Sequence, residues 1–174
     1  MKHLHPMNND TLLNTLRFIV LVLAQVFVFD NIHLFGFITP HIYLLFLVLY
    51  PIRVNSMLFL FLAFLLGLTM DFFSDTGGIH AAACLVTAYF RPVFLRFSFG
   101  ISIEYNSIKI SNTPFSGRLT FIFLLVISHH LVFYSLEIFQ LKHTLFILKS
   151  ALFSSIFTIL LSLILMVIFS TNKR

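Results

Sequence analysis

Residues 67–92 read GLTMDFFSDTGGIHAAACLVTAYFRP, and they place two aspartates and a glycine pair between two apolar runs. Each run belongs to a segment of roughly the 20 residues that a helix needs to cross a bilayer. Gly77 and Gly78 supply the backbone freedom that a tight reversal requires. The stretch therefore predicts an antiparallel hairpin of two transmembrane helices, with Asp71 and Asp75 near its turn.

The composition of the whole chain also indicates a membrane protein. Of 174 residues, 59% are hydrophobic and only 10% are charged, and the mean hydropathy is +1.02. Soluble domains carry about 25% charged residues. We therefore expect an all-α integral membrane protein.

The apolar runs predict a bundle of about six transmembrane helices that forms one domain over residues 1–174. The second run is the shortest and is closed by Pro51. No cleavage site follows the first run, so we expect it to be retained as a helix and not removed as a signal peptide. The predicted spans are residues 12–29, 37–50, 56–73, 78–96, 119–138 and 145–169.

The distribution of charge predicts the orientation of the bundle, because positively charged loops are held in the cytoplasm. With both termini inside, the acidic residues Asp30, Asp71, Asp75 and Glu137 fall at or near the outer ends of the spans. Nine of the eleven Lys and Arg residues then lie at the cytoplasmic ends, namely Lys2, Arg17, Arg53, Arg91, Arg96, Lys109, Arg118, Lys173 and Arg174. The prediction is a multi-pass membrane protein with both termini cytoplasmic.

Several function classes do not fit the sequence. The net charge of +5 suits anionic phospholipid headgroups, and no nucleic acid is expected as a partner, since no basic stripe interleaved with aromatic residues is present. Cys84 is the single cysteine and cannot form an intrachain disulfide. The sequence has no HExxH motif and no recognisable nucleophile motif. We therefore predict no enzyme, no catalytic residue, no cofactor and no metal site.

Small residues predict how the two helices of the hairpin pack. Ala63, Gly67 and Asp71 recur every four residues, so they share one helix face that a neighbour can approach closely. The next helix offers a matching small face, formed by Ala81, Cys84 and Ala88. Asp71 ends this seam, and the sequence leaves open whether it locks the hairpin or serves a partner or pocket.

The turn itself has three polar candidates. Asp75 or Thr76 is expected to cap the following helix. His80 is expected to meet Asp71 across the turn as a hydrogen-bonded pair, in preference to metal or proton chemistry. The predicted packing or partner site comprises Gly67, Asp71, Gly77, Gly78 and His80.

A polar stripe on the fifth predicted helix marks a candidate pocket. His130, Tyr134 and Glu137 fall at positions i, i+4 and i+7, so they should face other helices or a water-filled cavity. His129 precedes His130 directly, and adjacent helical side chains point about 100° apart. That spacing argues against a metal ion held by this pair.

Other polar residues are expected to serve packing. Gln25 and Asp30 are predicted internal hydrogen-bond partners. The sixth helix carries a small polar seam, which we expect to pack against a neighbouring helix, formed by Ser150, Ser154, Thr158 and Ser162. Residues 100–117 alternate apolar and polar with the period of a strand and form the longest connection. This loop is either a contact for cytosolic partners or a plain connector.

Two stretches resemble a known family. The run 67–92, with Gly67, Asp71, Ser74, Gly78, Ala81, Ala88 and Tyr89 in this order, is similar to the core signature of the MreD family of rod shape-determining membrane proteins. Residues 104–139, EYNSIKISNTPFSGRLTFIFLLVISHHLVFYSLEIF, resemble the Bacteroidetes form of that family.

The resemblance implies a non-enzymatic scaffold of the cell-elongation complex in the bacterial inner membrane, where it helps to organise peptidoglycan synthesis and cell shape. Such a subunit binds MreC in the membrane and connects it to MreB and to RodA with its transpeptidase partner. A homodimer is left open as well. The alternative is a substrate-binding membrane subunit of a vitamin-type uptake transporter, whose pocket would use Asp71, His80, His130 and Glu137. Ala24 has no small partner four residues away on the first helix, which counts against that alternative.

Overall fold

The chain folds into a helical bundle. A computed structural model describes residues 9–31, 38–52, 55–100, 110, 113–138 and 144–170. The helices are α1 (Asn9–Ala24, continued by a π-helical turn Gln25–Phe29), α2 (Leu44–Leu49), α3 (Ser56–Ser74), α4 (Ile79–Phe99), α5 (Phe115–Ile138) and α6 (Thr144–Ser170). Five segments are long and apolar enough to cross a membrane, namely Thr11–Phe29, Ser56–Ser74, Ile79–Phe99, Phe115–Ile138 and Thr144–Val167. The prediction of a multi-pass helical membrane protein is confirmed.

Residues 38–50, which we name the crossing segment, differ from the span predicted at 37–50. Its only helix is α2, whose six residues cover about 9 Å, against the roughly 30 Å of a hydrocarbon core. Residues 40–48 are all buried inside the bundle. The segment is therefore apolar because protein surrounds it, and hydropathy alone does not separate that environment from lipid.

Contacts at the two ends of the crossing segment show its direction. The Ser74 hydroxyl at the end of α3 donates to Asp30 after α1 at 3.4 Å, so α1 and α3 end on the same side of the bundle. Thr39 contacts Tyr134 near that side, whereas the carbonyl of Tyr50 accepts from Arg91, in the second half of α4, at 2.5 Å. The chain thus returns through the interior between α1 and α3.

Side chains from other helices satisfy the non-helical backbone of this segment. Gln25 donates to the Pro40 carbonyl at 3.0 Å and accepts from Ile42 N–H at 2.7 Å. Ser154 accepts from Thr39 N–H at 3.2 Å, and Thr158 accepts from His41 N–H at 3.0 Å. Irregular backbone at membrane depth is tolerated only with such partners. Two residues of the predicted seam on α6, Ser154 and Thr158, therefore hydrogen-bond the backbone of the crossing segment in addition to any role in helix packing.

The α3–α4 hairpin is closely packed at Gly67. A Cβ atom built there meets the backbone of Ala81 and the carbonyl oxygen of His80, with Ala81 N at only 2.6 Å. Ala63 and Cys84 are fully buried beside this contact. The turn has positive φ at Asp75 (51°), Gly77 (64°) and Gly78 (101°), which explains the two glycines.

The loop predicted over residues 100–117 lies mostly outside the described residues. Residues 101–109 and 111–112, where the strand-like alternation falls, are among those not described. Phe115–Gly117 already form the first turn of α5, so this helix begins four residues before the predicted position. A Cβ at Gly117 would meet the Ser98 carbonyl at 2.8 Å, which explains a glycine where α5 passes the end of α4.

Candidate functional site

Four histidines meet inside the bundle and form what we call the histidine cluster. His41 comes from the crossing segment, His80 from α4, and His129 and His130 from α5. The His41 ring stacks on His130 with centroids 4.9 Å apart and lies edge-on to His80 and His129 at 5.3 and 5.6 Å. All four are at most 3% exposed. So many imidazoles in an apolar interior need partners for their ring nitrogens.

Tyr43 joins two of these rings. Its hydroxyl lies 2.7 Å from His80 Nδ1 and 3.0 Å from His129 Nε2. A phenol has one hydrogen, so it donates to one ring and accepts from the other. One of the two histidines must therefore carry its proton on the nitrogen that faces Tyr43, and the tautomers of the cluster are coupled.

The other two histidines are fixed in different ways. His130 Nδ1 lies 2.9 Å from the Val126 carbonyl, so this nitrogen carries the hydrogen and donates, and Nε2 keeps a lone pair. His130 Nε2 is 3.4 Å from the Thr158 hydroxyl. His41 is held by its ring contacts, and its Nδ1 is buried without a hydrogen-bond partner among the described residues.

Three members of the cluster have the arrangement of metal ligands. Atoms able to ligate a metal on His41, His129 and His130 lie within 4.8 Å of one another. Adjacent positions on one helix argue against a metal ion held by His129 and His130 alone, but a third imidazole reaches them from outside that helix. The rings of these neighbours have centroids 5.7 Å apart, and both face His41 from the crossing segment.

Asp71 caps α4 from the preceding helix. Its Oδ1 accepts from His80 N–H at 2.9 Å and its Oδ2 from Ala81 N–H at 2.8 Å. With Gly78 as the N-cap residue, these are the second and third helical N–H groups, which a capping side chain normally satisfies. The Thr76 hydroxyl also donates to Oδ1, at 2.5 Å.

This geometry corrects the predicted roles of Asp75 and Thr76. Gly78, the N-cap residue, has no side chain, and neither Asp75 nor Thr76 caps α4, because the carboxylate of Asp71 accepts from its N–H groups. Asp75 is exposed and ends α3 in the left-handed conformation, with its N–H bonded to the Asp71 carbonyl. Asp71 meets the backbone of His80, not its imidazole, which is instead bonded to Tyr43.

A cavity of about 720 Å³ lies beside the histidine cluster, at the end of the bundle where α1 and α3 end. Asp30 and Glu137 contribute its acidic lining, and no Lys or Arg is among the described residues that line it. Phe73, Phe133 and Phe146 contribute aromatic surface. The described lining therefore suits a ligand with positive charge more than an anion.

The predicted stripe on α5 is divided between the cavity and the interior. Tyr134 and Glu137 line the cavity, whereas His130 lies behind it and is fully buried. The Tyr134 hydroxyl is 2.6 Å from Ser154 Oγ and 3.2 Å from Thr39 Oγ1. Of the residues assigned to a transporter pocket, His80 and Glu137 line the cavity, and Asp71 and His130 do not.

Sequence reasoning missed His41, Tyr43 and Thr39. All three lie in the sequence TPHIY, residues 39–43, which hydropathy predicts as part of a transmembrane helix. A proline followed by histidine inside a short apolar run was the available signal, since proline breaks a helix and freed backbone groups in a membrane need polar partners.

Comparison of the chain with protein-family models, with curated proteins and with solved structures gives no match.

Proposed function

We propose that this chain is a non-enzymatic scaffold subunit of the bacterial cell-elongation complex. In this proposal it lies in the inner membrane with both termini cytoplasmic, binds MreC within the membrane, and connects MreC to MreB and to RodA with its transpeptidase partner. The likeness of residues 67–92 to the MreD signature is the starting point.

The first support is the role of the signature residues in the fold. Gly67 permits the close contact with Ala81, and Asp71 caps α4 across the turn that Gly78 completes. These residues form a rigid hairpin and supply no reactive group. A signature of this kind suits a protein that presents surfaces to partners.

The observation that carries the proposal is Tyr89, the signature residue that faces outward. It lies at the middle of the 21-residue helix α4 and is 68% exposed. Within the described part of the chain no group is hydrogen-bonded to its hydroxyl. A phenol hydroxyl at the centre of a bilayer gains most from a polar group on a neighbouring helix. We assign this outward face of α4, around Tyr89, to a transmembrane helix of MreC.

The orientation is supported by the described charges. Arg17, Arg96 and Arg118 lie toward one end of the bundle, and Asp30 and Glu137 lie at the cavity end. The rule of positive cytoplasmic loops then puts the cavity on the outer side. The parallel course of α1 and α3 is consistent with both termini on the cytoplasmic side.

Photo-crosslinking from Tyr89 in the native host tests the proposal. A photo-reactive amino acid at position 89 should crosslink to MreC, and the same probe at Leu152, a half-exposed position on α6, should not. Tyr89→Phe should weaken co-purification of MreC about fivefold, since an interhelical hydrogen bond in a membrane contributes about 1 kcal/mol. Absence of MreC among the position-89 products would refute the assignment.

The cavity favours a second candidate, the substrate-binding subunit of an uptake transporter. Its volume of about 720 Å³ is within the range of small-molecule sites, about 300–1,000 Å³. Tyr134→Phe is the matched variant, because it removes a cavity hydroxyl and leaves the outer face of α4 unchanged. A transport defect in cells that carry Tyr134→Phe but keep their normal cell shape would favour this candidate.

A further inference from the structure

We propose that His41, His129 and His130 form a binding site for a divalent transition-metal ion, with zinc as the best fit. The site goes beyond the proposed scaffold function and is independent of it. Three imidazoles with an open fourth position are a common zinc ligand set. Imidazole nitrogens also exclude Mg²⁺ and Ca²⁺, which take oxygen ligands.

Unpartnered ring nitrogens are the first argument. His41 Nδ1 and His129 Nδ1 are buried and have no hydrogen-bond partner among the described residues. A buried polar atom without a partner costs about 1–3 kcal/mol. A metal ion removes that cost at both atoms, because each nitrogen can offer it a lone pair.

The groups behind the rings orient them as ligands. His130 Nδ1 donates to the Val126 carbonyl, which leaves Nε2 free to ligate. His129 Nε2 lies 3.0 Å from the Tyr43 hydroxyl. When the hydrogen of this ring is on Nε2, Nδ1 carries a lone pair that can bind the ion. Ligating histidines typically donate their other N–H to a carbonyl or another polar group in this way. The 3.4 Å contact between His130 Nε2 and the Thr158 hydroxyl is long and is given up on ligation.

The distances allow coordination after a small movement. Zinc with Zn–N bonds of about 2.0–2.1 Å requires ligand nitrogens about 3.4 Å apart in tetrahedral geometry. Starting within 4.8 Å of one another, each nitrogen moves by at most about 0.8 Å toward a common centre. Ligation also tilts His41 off His130, because two parallel stacked rings cannot both contain the ion in their planes.

The cavity provides an entry path and the fourth ligand. His41 lines the cavity as well as the cluster, so an ion can reach it from there. Asp30 and Glu137 line the same cavity and favour the approach of a cation. A water molecule from the cavity can complete the coordination.

Metal content of the full-length protein is the test. The protein is purified in mild detergent without a polyhistidine tag, its zinc is measured by mass spectrometry, and the chelator-stripped protein is titrated with Co²⁺. We expect one zinc per chain and visible Co²⁺ bands typical of tetrahedral nitrogen coordination. No zinc together with no Co²⁺ bands would overturn the proposal.

Variants locate the ion. His41→Asn should weaken Co²⁺ binding by more than about 100-fold, and Tyr43→Phe, which acts through His129, by about 10–100-fold. His80→Asn removes a cluster imidazole that is not one of the three ligands and touches the site only through Tyr43, so it should weaken Co²⁺ binding by no more than Tyr43→Phe does. Unchanged binding by His41→Asn would place the ion elsewhere and overturn the proposal.

A measurement on the unmodified chain keeps the test decisive if a variant misfolds. X-ray absorption at the zinc edge counts the imidazole ligands directly. Three histidine nitrogens support the site, and a shell of oxygen atoms alone contradicts it.

Discussion

Replacing Asp71 tests whether the α3–α4 hairpin is held by a carboxylate that caps one helix from the other. In Asp71→Ala, the N–H groups of His80 and Ala81 lose their acceptors inside the bundle. Each buried donor left unpaired costs about 1–3 kcal/mol, so the free energy of unfolding should fall by about 2–6 kcal/mol. The middle of that range, about 4 kcal/mol, corresponds to a Tm lower by about 8–16 °C for a chain of this size.

A matched pair of amide variants isolates the cap from the loss of charge. Asp71→Asn keeps one acceptor oxygen and turns an NH₂ group toward the other backbone N–H, so we expect about half the effect of Asp71→Ala. Asp75→Asn removes a charge four residues away at an exposed position, and asparagine tolerates the left-handed conformation found there. Its Tm should equal that of the wild type. Thermal unfolding in mild detergent gives the Tm of all three variants. An Asp71→Asn protein with the same Tm as the wild type or as Asp75→Asn would refute the reasoning.

Two further substitutions test the packing and the crossing segment. Gly67→Ala pushes a methyl group into the backbone of Ala81 and should lower the free energy of unfolding by about 1–3 kcal/mol, which is measured as a lower Tm. Leu68→Ala, on the half-exposed face of α3, should leave the Tm nearly unchanged. Equal Tm values for the two variants would contradict the close contact at Gly67. Gln25→Leu leaves Ile42 N–H and the Pro40 carbonyl without their partner, which should lower the free energy of unfolding by about 2–6 kcal/mol. Hydrogen exchange in peptides covering residues 38–50 should then be faster than in the wild type. Unchanged exchange there would show that Gln25 does not hold the crossing segment.

The spanning helices were predictable because lipid imposes length and hydropathy on them. The runs predicted at 12–29 and 56–73 differ from Thr11–Phe29 and Ser56–Ser74 by one residue at most at each end. The crossing segment was not predictable in this way. Burial in protein and exposure to lipid both select apolar residues, and only the polar partners on other helices distinguish them, since non-helical backbone in a membrane must be hydrogen-bonded.

The candidate site was only partly predictable for a related reason. The position of Asp71 at the end of a small-residue seam follows from a period of four, and the structure places it at that hairpin turn. Its cap on α4 depends on the path of the turn, which periodicity does not give. The histidine cluster depends on His41 arriving from a segment far away in sequence. Helical periodicity shows which residues of one helix share a face. It does not show which residues of other elements contact that face, so the stripe of His130 and Tyr134 did not predict His41.

Gentle-detergent purification of the tagged protein from its own host, with mass spectrometry of the proteins that remain attached, tests the proposed scaffold function most directly. The proposal predicts recovery of MreC together with RodA and its transpeptidase partner, and a reduced yield of all three from Tyr89→Phe but not from Tyr134→Phe. Recovery of an ATP-driven transport module without cell-wall proteins would contradict it.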